Sequence, residues 1–182
     1  MENNNIKQGV TYGIIGGLIY LVQLFGSWAI CSVKNFVIVS GITSIFPFLF
    51  IILLVVGFKL RKDNGGLYSF QEALQFTFVA YVVFAIIEAF GNYLLYALVD
   101  TDLTKNVIPA TILLWQQLFE YLGFPWPDEE ISNKDVKRQL ESEITNFKQV
   151  FLGLGLAIVL NFVKALILSI IIKKNEEIPD QI

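Results

Sequence analysis

The sequence lacks histidine altogether and has a single cysteine and a single methionine among its 182 residues. A lone cysteine forms no internal disulfide, and without histidine the ordinary zinc sites and the commonest catalytic base are excluded. The net charge of −3 gives no basic surface for nucleic acid. No paired nucleophile and base stands out either, so the sequence predicts no enzyme, no cofactor, no metal site and no nucleic-acid partner.

Apolar residues, by contrast, are abundant and lie in long blocks. They make up 55% of the chain, against about 45–50% in soluble domains. Crossing a bilayer takes about 20 apolar residues, and four blocks are long enough: 10–32, 36–58, 74–99 and 150–172. Because lipid offers the backbone no hydrogen-bond partner, such spans are helical. The sequence therefore predicts an all-α integral membrane protein, a four-helix transmembrane bundle in one domain of residues 1–182.

The basic residues predict the orientation of these spans. The first block exceeds the hydrophobic region of a signal peptide, about 7–15 residues, so it is expected to be retained. Cytoplasmic loops are rich in Lys and Arg, and three segments that share one side carry Lys7, Lys59, Arg61, Lys62, Lys173 and Lys174. Both termini are therefore predicted to be cytoplasmic, with segment 100–149 outside the membrane.

Segment 100–149 is predicted to form an extracytoplasmic helical hairpin. Its first half has an apolar stripe at helical spacing, and its aromatic residues suit the membrane interface: Ile108, Ile112, Trp115, Phe119 and Leu122. Ser132 or Asn133 can cap a second helix, and without a Gly or Pro before Gly153 this helix is expected to run on to Lys174. The stripe of the second helix needs a partner, which is either the first helix or another subunit.

A polar face crosses the third predicted span, and a second one lies in the fourth. Glu88 stands near the middle of the third span, and the residues on its face are Tyr81, Asn92 and Tyr96; the fourth span carries Asn161 and Lys164. A carboxylate inside a membrane is paired, protonated or in a wet cavity. Glu88 and Lys164 are therefore expected to form a structural ion pair, to serve a proton- or ion-linked site, or to act independently.

Two further patterns concern helix packing. Gly9, Gly13 and Gly17 form a small-residue face on the first span, which favours close packing against another span or against a second copy of the chain. Pro47 lies within the second span and predicts a kink there, either a static bend or a hinge.

The loop before the third span carries the most specific motif. Gly65 and Gly66 predict a tight turn, and Ser69 with Glu72 fits the S-x-x-E capping box that starts a helix. The run from Gly65 to Ala73, followed at once by a span, resembles the DUF4199 family of small bacterial integral membrane proteins. That resemblance covers nearly the whole chain and implies a bacterial inner-membrane location. It implies no activity, because the family has no known function.

Two functions remain as expectations. The first is a non-enzymatic membrane protein that associates with itself or with another membrane protein. The alternative is a small transporter, channel or ion-linked sensor that uses the polar face around Glu88 and Lys164. A membrane enzyme comes third, since no catalytic set is visible in the sequence.

Overall fold

The computed structural model describes residues 2–45, 48–124, 138 and 146–174. They form the helices α1 (Glu2–Ile30), α2 (Val33–Ile45), α3 (Phe48–Asp63), α4 (Phe70–Tyr93), a π-helical segment (Leu94–Val99), α5 (Leu103–Tyr121) and α6 (Phe147–Ile172). This part of the chain contains no β-strand, and Tyr68 and Lys174 form an isolated antiparallel bridge. The predicted all-helical class is confirmed.

Three of the described helices are long and apolar enough to cross a membrane. They are Asn4–Ile30, Phe70–Val99 and Phe147–Ile172, with 27, 30 and 26 residues, each above the length of about 20 that a span needs. They correspond to the first, third and fourth predicted spans. The second, 36–58, falls on two shorter helices, α2 and α3; residues 46 and 47, with the predicted kink at Pro47, lie outside the described residues. The count of four spans therefore stays a prediction.

The chain forms two compact units, and each is built from separate stretches of sequence. Unit 1 contains Met1–Tyr20, Phe46–Ile87 and Gly155–Ile182, while unit 2 contains Leu21–Ile45 and Glu88–Leu154. The long helices α1, α4 and α6 each contribute residues to both units.

In unit 1, the glycine face of α1 lies directly against α4. A Cβ atom at Gly9 or Gly13 would stand 2.7 or 2.6 Å from the carbonyl oxygen of Phe76 or Ala80, respectively, and one at Gly17 would meet the side chain of Ile87. The contacts advance together along both helices, so α1 and α4 are parallel here. The absence of side chains at these three glycines allows the two backbones to approach closely, as is common for helices packed in lipid.

The core of unit 1 combines α3, α4, α6 and the loop before α4. It consists of Leu49, Leu53, Tyr68, Ala73, Phe76, Ala80, Tyr81, Ala165, Leu168 and Ile172. Helices α4 and α6 are antiparallel in this unit, because Tyr68 pairs with Lys174, Thr77 with Ser169 and Phe78 with Phe162.

In unit 2, α5 packs on α2. The buried face of α5 is formed by Leu103, Thr104, Val107, Ile108 and Ile112. Leu21 and Leu24 of α1 meet Gly91 of α4, where a Cβ atom would clash with Leu21.

Local sequence signals set several of the helix ends. Gly65 and Gly66 have positive φ after α3, and Gly66 N–H donates to the Arg61 carbonyl while Gly65 N–H donates to that of Lys62. This is the Schellman motif that ends a helix. Before α4, Ser69 N–H donates to the Glu72 carboxylate (2.9 Å) and Glu72 N–H donates to Ser69 Oγ (3.3 Å). The predicted turn and capping box are both confirmed.

The predicted unbroken helix from Ser132 to Lys174 is wrong. Helix α6 begins at Phe147, and Asn146, which is not helical, caps it: Lys148 N–H donates to Asn146 Oδ1 (3.0 Å) and Val150 N–H donates to the Asn146 carbonyl. An asparagine at this position accepts hydrogen bonds from the first helical turn and thereby fixes the start of the helix. The remainder of the predicted second hairpin helix lies outside the described residues, except for Arg138.

Candidate functional site

The predicted polar face is divided between the two units. Tyr81, Asn161 and Lys164 belong to unit 1, whereas Glu88, Asn92 and Tyr96 belong to unit 2. Each group is therefore described within its own unit, and the ion pair between Glu88 and Lys164 stays a prediction.

Unit 1 buries two of its three predicted polar residues. Tyr81 is 3% exposed and Asn161 6%, while the Lys164 side chain is exposed. The Tyr81 hydroxyl has no hydrogen-bond partner among the residues that the structure describes. Tyr81 and Asn161 are therefore polar side chains buried within a largely apolar unit.

One turn away, unit 1 holds a buried hydroxyl pair that the sequence analysis missed. Thr77 Oγ1 and Ser169 Oγ lie 3.0 Å apart and link α4 to α6. Each oxygen also lies within hydrogen-bond distance of a carbonyl of its own helix, Thr77 Oγ1 of Ala73 (2.8 Å) and Ser169 Oγ of Ala165 (2.5 Å). Because each hydroxyl has one proton, one of the two donates to its own carbonyl and the other donates across the pair. Small hydroxyls that bond the preceding helical turn interrupt an apolar run very little, so the only signal available was two hydroxyl residues within otherwise apolar spans.

Unit 2 contains the acid that the sequence singled out. Glu88 and Asn92 are both partly buried on α4, and Tyr96 is buried, with its ring centroid 6.4 Å from that of Phe36. Gln23 of α1 is a further polar residue that the sequence analysis missed. Both polar atoms of its side-chain amide are buried without a hydrogen-bond partner in the described part of the chain. Unit 2 therefore concentrates polar side chains in segments that are otherwise apolar.

A π-helical segment follows these polar residues. It covers Leu94–Val99 and ends where Asp100 N–H donates to the Leu95 carbonyl, five residues back (2.9 Å). Such wide turns are rare and frequently occur at functional sites. Here the segment carries Tyr96 and ends at Asp100.

Asp100 joins the ends of two candidate spans. One carboxylate oxygen accepts from Trp28 Nε1 (3.0 Å), near the end of α1, and the other accepts from Leu103 N–H (3.0 Å) at the start of α5. A cavity of about 210 Å³ adjoins this contact, and its lining includes Trp28, Cys31, Asp100, Asp102 and Asn106. The hydrogen bond and positive charge of Lys105, 2.6 Å away, lower the pKa of the exposed Asp102.

The apolar stripe of α5 is buried at one end of the helix and exposed at the other. Beyond Ile112, the same face continues with Trp115, Leu118 and Leu122, and these three side chains are exposed, Trp115 by 52%. Tyr121, at one edge of this face, is 87% exposed. The opposite face carries Lys105, Gln116 and Glu120. The apolar stripe of α5 is therefore buried only in the first half of the helix.

The end of α5 has a defined structure as well. Phe124 N–H donates to the Phe119 carbonyl and Gly123, with a φ of 74°, donates to the Glu120 carbonyl. The rings of Phe119 and Phe124 are in contact, with centroids 6.3 Å apart, which is the apolar contact typical of this helix ending. The exposed half of α5 thus ends in a fixed aromatic pair.

At one end of unit 1, hydrogen bonds connect four chain segments around Tyr68. The Tyr68 hydroxyl donates to Asn5 Oδ1 of α1 (3.1 Å), and its backbone pairs with Lys174 after α6. Arg61 of α3 donates to the Ile172 carbonyl (3.2 Å). Burial, and secondarily the negative charge of Glu72, raise the pKa of Tyr68. We call this region the Tyr68 end of unit 1.

Within the described ranges, no group of three or more Asp, Glu, Cys or His residues is placed to hold a metal ion. The polar residues occur as isolated contacts between helices, such as Thr77 with Ser169 and Trp28 with Asp100.

Comparison with known proteins identifies the family. No curated protein and no solved structure matches the chain. The model of one family, described as "Protein of unknown function (DUF4199)", matches residues 7–174, which is nearly the entire sequence. The chain therefore belongs to the DUF4199 family.

Proposed function

We propose that this protein is a non-enzymatic multi-pass membrane protein that acts by associating with another membrane protein or with a second copy of itself. The observation that carries the proposal is the half of the α5 stripe, formed by Trp115, Leu118 and Leu122, that is exposed in the described part of the chain. The same face is buried up to Ile112. A continuous apolar face that is half covered fits a surface whose second half is covered by a partner.

Energy considerations favour a partner for this stripe. Burying a large apolar side chain contributes about 1.5–3 kcal/mol, and aromatic residues are prominent in the energetic centres of interfaces. Trp115 and Tyr121 are such residues, and the Schellman ending at Gly123 holds the end of the helix in place. Little conformational entropy therefore needs to be lost when a partner binds.

The membrane location is part of the proposal. Four spans, a bacterial inner membrane, an external α5 and cytoplasmic termini together account for the three long apolar helices and for the basic residues near one end of unit 1. In that arrangement α5 follows directly after the end of the span Phe70–Val99. Helix α5 would then face other proteins at the extracytoplasmic surface of the inner membrane.

Site-directed crosslinking tests the proposal with a matched pair of variants. In a Cys31→Ser background, Leu118→Cys and Glu120→Cys are each labelled with a thiol-reactive photo-crosslinker. Position 118 lies on the stripe and position 120 on the opposite face of α5, and both side chains are exposed. In native membranes, position 118 is expected to give a defined protein adduct and position 120 is not. Equal yields at the two positions, or only lipid adducts at 118, would contradict the proposal.

The polar residues of unit 2 favour a second candidate, an ion-linked transporter, channel or sensor. The observation behind it is that Glu88 is partly buried within the span Phe70–Val99, while the nearby α1 residue Gln23 has an amide without a partner among the described residues. Ionisable side chains in such positions often mark ion or proton paths. If Glu88→Gln and Lys164→Met both leave proton and cation fluxes unchanged in proteoliposomes, this candidate fails.

A further inference from the structure

The Tyr68 end of unit 1 carries a concentration of positive charge. Its six cationic side chains are Lys7, Lys59, Arg61, Lys62, Lys173 and Lys174. The acids with described side chains at this end are Asp63 and Glu72, and Glu72 accepts hydrogen bonds from Ser69 in the capping box. None of the six cations forms a salt bridge within the described residues. Among the described side chains at this end, the six cations therefore outnumber the two acids.

The structure brings these charges together at one level of the molecule. Asn5 is joined to Tyr68, Tyr68 to Lys174, and Arg61 to the carbonyl of Ile172. The contacts unite the start of α1, the end of α3, the start of α4 and the end of α6. Candidate spans begin at Asn4 and Phe70 and end at Ile172, so Lys7, Lys173 and Lys174 lie within a few residues of span ends, at the depth of lipid headgroups. The bond from Arg61 to Ile172 holds the end of α3 at the same depth.

Arg61 is held by two contacts. Its guanidinium carbon lies 4.9 Å from the centroid of the Phe58 ring, and Nη1 donates to the Ile172 carbonyl at 3.2 Å. A guanidinium has five N–H donors in a planar fork that fits phosphate. The ring contact and the hydrogen bond fix the direction of the guanidinium, while its other N–H donors remain available. Lys173 is held similarly, with Nζ 6.0 Å from the centroid of the Phe70 ring.

We propose that the Tyr68 end of unit 1 binds the phosphate groups of anionic phospholipids, with Arg61 at its centre. Exposed apolar side chains stand beside the cations: Phe58, Leu67 and Ile171. Cationic groups next to apolar side chains at the ends of spans suit an amphiphile, whose phosphate meets the cations and whose acyl chains meet the apolar residues. A soluble anion would use only half of this surface. The proposal concerns a different surface from the α5 stripe and stands independently of it.

The test uses the full-length protein in nanodiscs of phosphatidylcholine with an increasing fraction of phosphatidylglycerol. Thermal unfolding is followed, and phosphatidylglycerol retained by the purified protein is counted by native mass spectrometry. We expect phosphatidylglycerol to raise Tm and to be retained. Inorganic phosphate added to pure phosphatidylcholine discs is expected to have no effect, and an equal rise in Tm with phosphate would overturn the assignment to lipid.

Charge-removing variants locate the site. Lys59→Gln combined with Lys62→Gln removes two exposed cations at the Tyr68 end, and we expect the apparent affinity for phosphatidylglycerol to fall about fivefold per charge. Arg61→Gln is expected to weaken it at least as much, and Arg61→Lys to restore only part of the loss. The matched control is Lys34→Gln with Lys148→Gln, two exposed lysines of unit 2. An equal loss in this control, or no loss in the Lys59 and Lys62 variant, would overturn the proposal.

Discussion

Replacing Gly13 by alanine tests the packing of α1 on α4 most directly. The added Cβ atom would lie 2.6 Å from the carbonyl oxygen of Ala80 and 2.8 Å from Cβ of Val83. Both neighbours are backbone or backbone-attached atoms, so neither can rotate away as the tip of a long side chain could. Relief requires that α1 and α4 separate along their contact.

The size of the effect follows from two opposing terms. Overpacking a close helix contact costs about 1–3 kcal/mol, while exchanging glycine for alanine within a helix gains about 1 kcal/mol from propensity. Gly26 lies in the same helix, and a Cβ atom there would have nothing within 4 Å. Gly26→Ala therefore carries only the favourable term. The two variants are expected to differ in stability by about 1–3 kcal/mol, the cost of overpacking alone.

The assay is reversible unfolding in mild detergent, by heat or by titration with a denaturing detergent, followed by circular dichroism. We expect Gly26→Ala to unfold at or above the midpoint of the parent protein and Gly13→Ala to unfold clearly below Gly26→Ala. If the two variants have the same midpoint, the close contact between α1 and α4 is absent in the folded protein and the description of unit 1 is refuted.

Two further predictions concern unit 1. Thr77→Val and Ser169→Ala each remove one side of the 3.0 Å hydroxyl pair; a double-mutant cycle on unfolding should give a coupling of about 0.6 kcal/mol, typical of hydrogen bonds between membrane helices, and additive effects would contradict the bond. The pKa of Tyr68 is raised in the folded state, so the folded protein holds the Tyr68 hydroxyl proton more tightly than the unfolded chain does. The stability that this difference contributes is complete below about pH 10 and is lost as the pH rises further. Tyr68→Phe should therefore lose less stability than the parent protein between about pH 9 and pH 11, and parallel curves of Tm against pH would contradict this.

Features encoded in a few adjacent residues were predictable from the sequence. The glycine turn after α3, the capping box of Ser69 and Glu72 and the helical stripe of α5 each depend on local spacing, and the structure contains all three. The three long apolar helices follow directly from composition, because a run of more than 20 apolar residues has few alternatives to a helix in lipid.

Other features depend on information that periodicity does not contain. The apolar stripe of the predicted second hairpin helix keeps its helical spacing past Asn146 and into α6. The spacing therefore does not show that the Asn146 side chain caps α6 and that the helix begins there. Thr77 and Ser169 were missed because a hydroxyl residue can bond its own helix within an apolar span. Its presence in the sequence therefore does not indicate a contact with another helix. The ion pair expected between Glu88 and Lys164 stays a prediction, because the two residues belong to different units.

The discontinuous composition of unit 1 has a consequence for biosynthesis. Its three stretches end with Gly155–Ile182, and the bond between Arg61 and Ile172 joins residues 111 positions apart. Contacts this distant in sequence form late and slow folding. During translation, α1, α3 and α4 are synthesised well before α6, so the contact partners of Thr77 and of the Tyr68 loop are not yet present. A nascent chain arrested before Gly155 is therefore expected to remain an unfinished substrate for membrane quality control.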